Sequence, residues 1–473
     1  MAKSIDSLQL ELKKWQFKSK QKKPKLYFVY LIFLLCFAYI IDEIASNING
    51  IMQNEIINQF FGGEYSNQYI LITSLCSGAA FFTFFYKVFA DKFGRKPFLV
   101  INTIGLGIAM FICFLSKSLL FFSFGLVLIA FFIPCDVQVV YVLEISSDKN
   151  RGLWAALTKA IAIMGVAIIP PIRNWALSIG WSWAYFIPAC LAIICGTLCF
   201  FFVKESDVFI KNKISYIKKQ IKLAKNPELA EKYSKTEKLK NKQGGVIPAV
   251  KYILINKSLI WLFVVGIVLS FTTIATGNYS IMFEQNDKIF TPQMVTNALT
   301  VYPFAWAVIE VLIGFLSDRI GRKRSTILSG VITLYGFLCF VIGIKTGWNP
   351  YVVGVLLGLF LGGYISCVDM INVISAEESP TNLRSSVLSI INAAFSIGSL
   401  CGTGILLLFN KFIPNLDVAY FALIMIVPSL FIGLLILSTK TQETKSFSLL
   451  NSLSALLEKL SSRKNKDTDD NDK

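Results

Sequence analysis

Twelve apolar runs, each long enough to cross about 30 Å of hydrocarbon as a helix, confine this chain to a small set of folds. They lie at about 27–49, 68–90, 97–116, 118–143, 152–173, 183–203, 257–283, 292–316, 324–345, 350–376, 383–410 and 415–438, and are numbered spans 1 to 12 in that order. No water reaches the bilayer core to satisfy backbone N–H and C=O groups, so runs of this length become helices bonded within themselves. Composition agrees: 55% of the 473 residues are hydrophobic and only 16% are charged, too apolar for a soluble globule. The expected fold is an all-α membrane protein.

A formal net charge of +17 would fit a nucleic-acid partner if it were gathered on a soluble face. It is distributed otherwise. Lysine and arginine concentrate in the first 25 residues, in 204–257, and in the loops holding Arg95 and Lys96, Lys149 and Arg151, Arg322 to Arg324, and Arg384. The opposite loops carry only Lys117, Arg173, Lys288, Lys345 and Lys411. By the positive-inside rule both termini and the long middle loop are cytoplasmic, the protein is expected to sit in the plasma membrane, and no nucleic-acid partner is expected. The first run reaches full spanning length with no small-residue cleavage site behind it, so it reads as span 1 and not as a signal peptide. Ten cysteines all fall inside spans and histidine is absent, so no disulfide, metal or cofactor is expected. Proton chemistry then falls to Asp and Glu.

The spans divide six and six. The expected organisation is a cytoplasmic segment 1–26, a six-helix half 27–203, a lysine-rich cytoplasmic linker 204–256, a second half 257–438, and a tail 439–473 whose leucines share one side of an interfacial helix. The halves repeat each other: Asp91 in KVFADKFGRKP (87–97) recurs as Asp318 in GFLSDRIGRKR (314–324), and Asp136, Glu144 and Arg151 recur as Asp369, Glu377 and Arg384. Gly314 stands one helical turn before its Asp, a small residue that lets a neighbouring helix approach; Lys87 stands at the matching place in the first half. That difference predicts looser packing of span 2 on span 11 than of span 8 on span 5.

Two six-span halves carrying D-[KR]-x-G-R-K after spans 2 and 8 resemble the major facilitator superfamily of secondary transporters, over essentially the whole chain. YVLEISSDKNRG (141–152), EESPTNLR (377–384), VKES (203–206) and QETKS (442–446) are similar to the sugar-porter and metabolite:proton symporter branch. The resemblance implies twelve helices in two pseudo-symmetric halves and alternating access. It also implies a cytoplasmic gate formed by Asp91, Arg95, Glu144, Arg151, Asp318, Arg322, Glu377 and Arg384, whose opposite charges latch the halves and release them. The chain departs from the branch in having no Gln in span 7 and Lys159 where a Gln is usual, which leaves the cargo open.

Ionisable groups within spans are expensive, so each marks a candidate function. Asp42 and Glu43 of span 1 are the candidate proton-coupling pair, Asp42 first, because Asp42, Ser46, Asn49 and Gln53 form one helical stripe expected to line a watery cavity. Folding spans 4 and 5 about Ser147 and Asp148 sets Asp136 and Lys159 at one depth, a candidate buried pair, and sets Asp369 opposite Asn392 in the second half. A lysine in the pocket favours an anionic cargo unless Asp136 neutralises it; the alternative is a structural ion pair. Tyr302, Trp306 and Glu310 add an aromatic and acidic face on span 8. Asp136, Lys159, Tyr302, Trp306, Glu310, Asp369 and Asn392 are therefore the candidate substrate-binding residues.

The reading that follows is a monomeric, proton-coupled symporter of a small polar metabolite: a sugar, polyol or organic acid. Its partners are that cargo, protons and the lipid bilayer. The alternatives are proton-driven efflux of drugs or amphipathic organic cations, and a transport-fold nutrient sensor. No nucleophile constellation points to an enzyme.

Overall fold

The computed structural model describes residues 5–20, 26–62, 67–82, 94–133, 138, 141–142, 145, 151–225, 246–379, 384–413 and 416–444. Among them, ten helical segments are long and apolar enough to cross a membrane, and two shorter apolar helices, Gln68–Ser77 and Leu119–Phe132, stand where spans 2 and 4 are expected. The chain is a multi-pass helical membrane protein.

Local chemistry sets where the helices start and bend. Side-chain oxygens of Ser118, Asn256, Thr291, Asn349 and Asp417 accept from the first free backbone N–H groups of the helices they precede. Span 5 runs Arg151–Gly165, tightens to a 3-10 turn at Val166–Ile168 and resumes as Ile169–Leu177, because Pro170 and Pro171 lack the N–H an unbroken helix needs. Span 7 is broken more thoroughly, into Lys257–Leu269, Ser270–Thr272, Thr273–Thr276 and Tyr279–Glu284. There the Ser270 and Thr273 hydroxyls donate to the Gly266 and Ser270 carbonyls, which competes with the helical ladder. Thr276 and Tyr279, on either side of the last break, both line the cavity described below.

Close packing fixes span 8 on span 10. A Cβ added at Gly358 would lie 2.5 Å from the Ala305 Cβ and 3.1 Å from the Trp306 nitrogen; one at Gly362 would lie 3.0 Å from the Trp306 Cα. Gly354 meets the Ala298 backbone in the same way. Gly354, Gly358 and Gly362, spaced by four, thus form a groove for span 8, as small residues do in membrane helix pairs.

The repeated turns are the clearest mark of duplication. Gly94 (φ +119°, ψ 166°) and Gly321 (φ +104°, ψ 161°) share one backbone conformation that side-chain-bearing residues avoid. Each launches the next helix, Arg95–Leu115 or Arg322–Thr346. Behind each stands a carboxylate from the end of its own half. Glu205 Oε1 accepts from the Arg95 N–H at 2.9 Å, and Glu443 Oε1 accepts from the Arg322 N–H at 2.7 Å. A carboxylate at a helix N-terminus meets both the unpaired N–H groups and the positive end of the helix dipole.

Linker and N-terminal segment meet at this basic end of the bundle. Helix Asp207–Lys225 packs on helix Ile5–Ser19, with the Trp15 and Phe209 rings 5.7 Å apart. Spans 5 and 8 pack together across the halves, as do spans 2 and 11. Lys87 and the helix predicted in the tail lie outside the described residues.

Candidate functional site

A cavity of about 330 Å³ opens where spans 1, 5, 7, 8 and 10 converge. Span 1 contributes Tyr39, Glu43, Ser46 and Asn47, spaced i, i+4, i+7 and i+8 on one helical face. Lys159 enters from span 5, Thr276 and Tyr279 from the broken span 7, Trp306 from span 8, and Leu361, Ile365 and Asp369 from span 10. Both halves supply chemistry to one chamber.

Lys159 is the centre of its polar wall. Its Nζ bonds Glu310 Oε1 at 2.8 Å and also pairs with Asp369, so a cation of the first half is clasped by two carboxylates of the second. Glu310 is further held through Oε2, which accepts from Ser366 Oγ at 2.9 Å. The ammonium already has acidic partners, so it does not favour an anionic cargo. Asp136, expected as that partner, lies outside the described residues.

Other expectations are redrawn. Asp42, ranked above Glu43, is buried and accepts from Gln138 Nε2 of span 4 at 3.1 Å, whereas Glu43 is the acid on the cavity wall. Adjacent helical residues point about 100° apart, so only one of two neighbouring acids can face a given side. The stripe Asp42, Ser46, Asn49, Gln53 divides accordingly. Ser46 reaches the cavity, Asn49 accepts from Tyr185 Oη at 2.6 Å, and Gln53 donates to Asn278 Oδ1 at 3.4 Å. Asn392 is exposed and does not line the cavity, and Asp369, expected opposite it, pairs with Lys159 instead. An ammonium within reach is the stronger partner for a carboxylate than a neutral amide. Tyr302 is fully buried beside Tyr279, ring centroids 6.0 Å apart, so Trp306 alone carries the span 8 aromatic face into the chamber.

At the end opposite the basic one the halves close on each other. Ser280 Oγ of span 7 donates to the Gly50 carbonyl of span 1, and a Cβ at Gly50 would lie 3.1 Å from Tyr279 Oη. Beside this seam a buried Arg173–Glu55 pair ties span 5 to the helix Gln53–Phe61 that continues span 1.

At the basic end the described gate residues pair within the second half. Arg322 Nη1 lies 2.8 Å from Asp318 Oδ1 and its Nε 3.2 Å from Glu377 Oε1, while Thr444 Oγ1 donates to the other Glu377 oxygen. In the first half the Arg95 guanidinium lies over the Phe209 ring, 5.7 Å from its centroid. Asp91 and Glu144, with the side chains of Arg151 and Arg384, lie outside the described residues. Sequence reasoning passed over Glu205 and Glu443 as chemistry, although the VKES and QETKS segments that carry them stood out. It also passed over Tyr39 and Tyr279, of which Tyr39 follows from extending the Glu43 face one turn back.

Paired helical halves around a shared polar cavity define a membrane carrier. The family model of the Major Facilitator Superfamily matches residues 31–403 and again 272–459, and the chain belongs to that superfamily. It is similar to a Caenorhabditis elegans protein named as a transporter, 24% identical over 369 residues covering 75% of this chain and 60% of that protein. Against the multidrug resistance protein MdtG it is 22% identical for Salmonella arizonae (75% of this chain, 79% of that protein) and 27% for Dickeya zeae (38% and 43%). The chain thus spans less than two thirds of the Caenorhabditis and Dickeya relatives' length.

Proposed function

We propose that this protein moves a small polar organic solute across the plasma membrane by proton-coupled alternating access, with the cavity between the halves as the carrier site. The observation that carries the reading is the Lys159 clasp, Nζ to Glu310 at 2.8 Å and to Asp369, because it joins the two halves through charges that must exchange partners when the halves part. Carboxylates are the groups able to take the proton, Glu43 and Asp369 on the wall and Glu310 behind it. The seam at Gly50 and Ser280 supports a form closed at the end that the charge distribution assigns to the outside. Twelve spans, cytoplasmic termini and a monomeric carrier complete the proposal.

Uptake into proteoliposomes under an imposed pH gradient tests it, screened over sugars, polyols, amines and carboxylates in both gradient directions. Gradient-driven accumulation of one class is expected, and its loss when the gradient is collapsed. Equal uptake with and without the gradient for every class would refute proton coupling. A second reading, proton-driven efflux, is favoured by the similarity to proteins named for multidrug resistance and by an aromatic, acid-bearing cavity wall. Accumulation only in inverted vesicles would select it over import.

A further inference from the structure

The charge balance of the cavity bears on the sign of its cargo. Two carboxylates, Glu310 and Asp369, share the one ammonium of Lys159, and the wall carries a further acid in Glu43. The two partners of Lys159 are not equivalent. Glu310 is 9% exposed and is anchored a second time by Ser366, so it remains with the lysine. Asp369 has a side chain 35% exposed and lies on the wall itself. Lys159 can therefore release Asp369 and keep Glu310.

Aromatic surface stands around the same space. Tyr39, Tyr279 and Trp306 line it, and aromatic rings attract a positively charged nitrogen in a site stripped of water. Trp306 is 95% buried by its 5% exposure, and its Nε1–H has no hydrogen-bond partner among the described residues. A volume of about 330 Å³ is at the small end of ligand cavities.

Resting on the carrier reading above, we infer that the cargo is a small organic ammonium, that Asp369 is its cation site, and that Lys159 occupies this site as a tethered stand-in until cargo displaces it. An anionic cargo would meet the two carboxylates that already share Lys159, and a neutral one would leave the clasp shut. A cationic cargo breaks the Lys159–Asp369 link while replacing its charge, so loading leaves the halves joined here through Lys159 and Glu310 alone, without exposing a bare carboxylate. A proton on Asp369 has the same effect, so proton and cargo compete for one group.

The test uses the full chain purified in lipid nanodiscs and three probes of one size: 2-phenylethylammonium, 2-phenylethanol and phenylacetate, each titrated by calorimetry. The ammonium is expected to bind at least about tenfold more tightly than either of the others. Lys159→Met should tighten it by about two- to fivefold, the factor that one partly exposed ion pair represents. Asp369→Asn should weaken it by about tenfold or more, and a size-exclusion profile matching the parent protein excludes misfolding as the cause. Preference for phenylacetate or phenylethanol, binding of none of the three, or weaker ammonium binding in folded Lys159→Met would each overturn the inference. Failure of the carrier reading looks different: ammonium binds as described, yet no solute crosses liposomes under any gradient.

Discussion

A methyl group at position 358 gives the sharpest test of how the cavity is held. Gly358→Ala places a Cβ 2.5 Å from the Ala305 Cβ and 3.1 Å from the Trp306 nitrogen, with the Tyr302 carbonyl closer still. All of these atoms are backbone or Cβ, so no rotamer change relieves the overlap. Carbon atoms rest at about 3.5–4.0 Å, so span 8 must retreat by about 1 Å. Overpacking of this kind costs about 1–3 kcal/mol. The retreat also carries Glu310 away from span 10, stretching its 2.9 Å bond from Ser366 to about 3.9 Å, beyond hydrogen bonding. Stability and transport should therefore fall together. Gly404→Ala is the matched control, because nothing lies within 4 Å of the added Cβ. Thermal unfolding followed by fluorescence-detected size exclusion, with solute uptake on the same preparations, reads both effects. If Gly358→Ala melts with Gly404→Ala and the parent protein, spans 8 and 10 do not pack at this distance and the reasoning fails.

Glu310→Gln removes an ionisable group from the Lys159 clasp but keeps an acceptor, so pH-gradient-driven accumulation should drop by about tenfold while solute counterflow persists; an undiminished gradient response would clear Glu310 of any coupling role. Glu205→Ala and Glu443→Ala each remove a cap from a helix start and should cost about 1 kcal/mol, seen as faster hydrogen exchange at the Arg95 or Arg322 amide of the affected half only. Glu378, just past span 10, accepts from Ser258 Oγ at 2.7 Å, and burial raises its carboxyl pKa above the ordinary 4.5, the Ser258 bond opposing. A raised folded-state value makes its contribution complete below the unfolded pKa and lost as pH rises through the folded one. Glu378→Gln should accordingly raise the melting temperature at pH 8, with a gain that vanishes near pH 4.5; a gain growing toward acid pH would reverse the sign.

Much of the architecture was legible because bilayer physics leaves little choice. An apolar run of about 20 residues has to be a helix, and Gly-Arg-Lys after an acid has to turn at an interface, as Gly94 and Gly321 both do. The glycines of span 10 form a close-packed face for a reason equally local, since spacing by four keeps them on one side of a helix whatever stands opposite. Residue type and depth also marked Lys159, Glu310 and Asp369 as expensive and hence notable.

What lay beyond the chain's order was rotation and partnership. Asp42 and Glu43 are neighbours in sequence, but about 100° of helix separates them, and only the placement of span 4 turned Asp42 toward Gln138 and left Glu43 on the cavity. Hairpin counting put Lys159 at the right depth and paired it within its own half, because depth is a one-dimensional quantity. Its described partners come from spans 8 and 10, brought beside it by packing between the halves, and Glu205 and Glu443 reach helix starts more than a hundred residues away for the same reason. Sequence by itself determined which runs are apolar and long enough to cross a membrane and which charges would be costly there. Tertiary structure alone decided which charges meet, since an ion pair depends on distances of about 3 Å that no spacing along separate helices encodes.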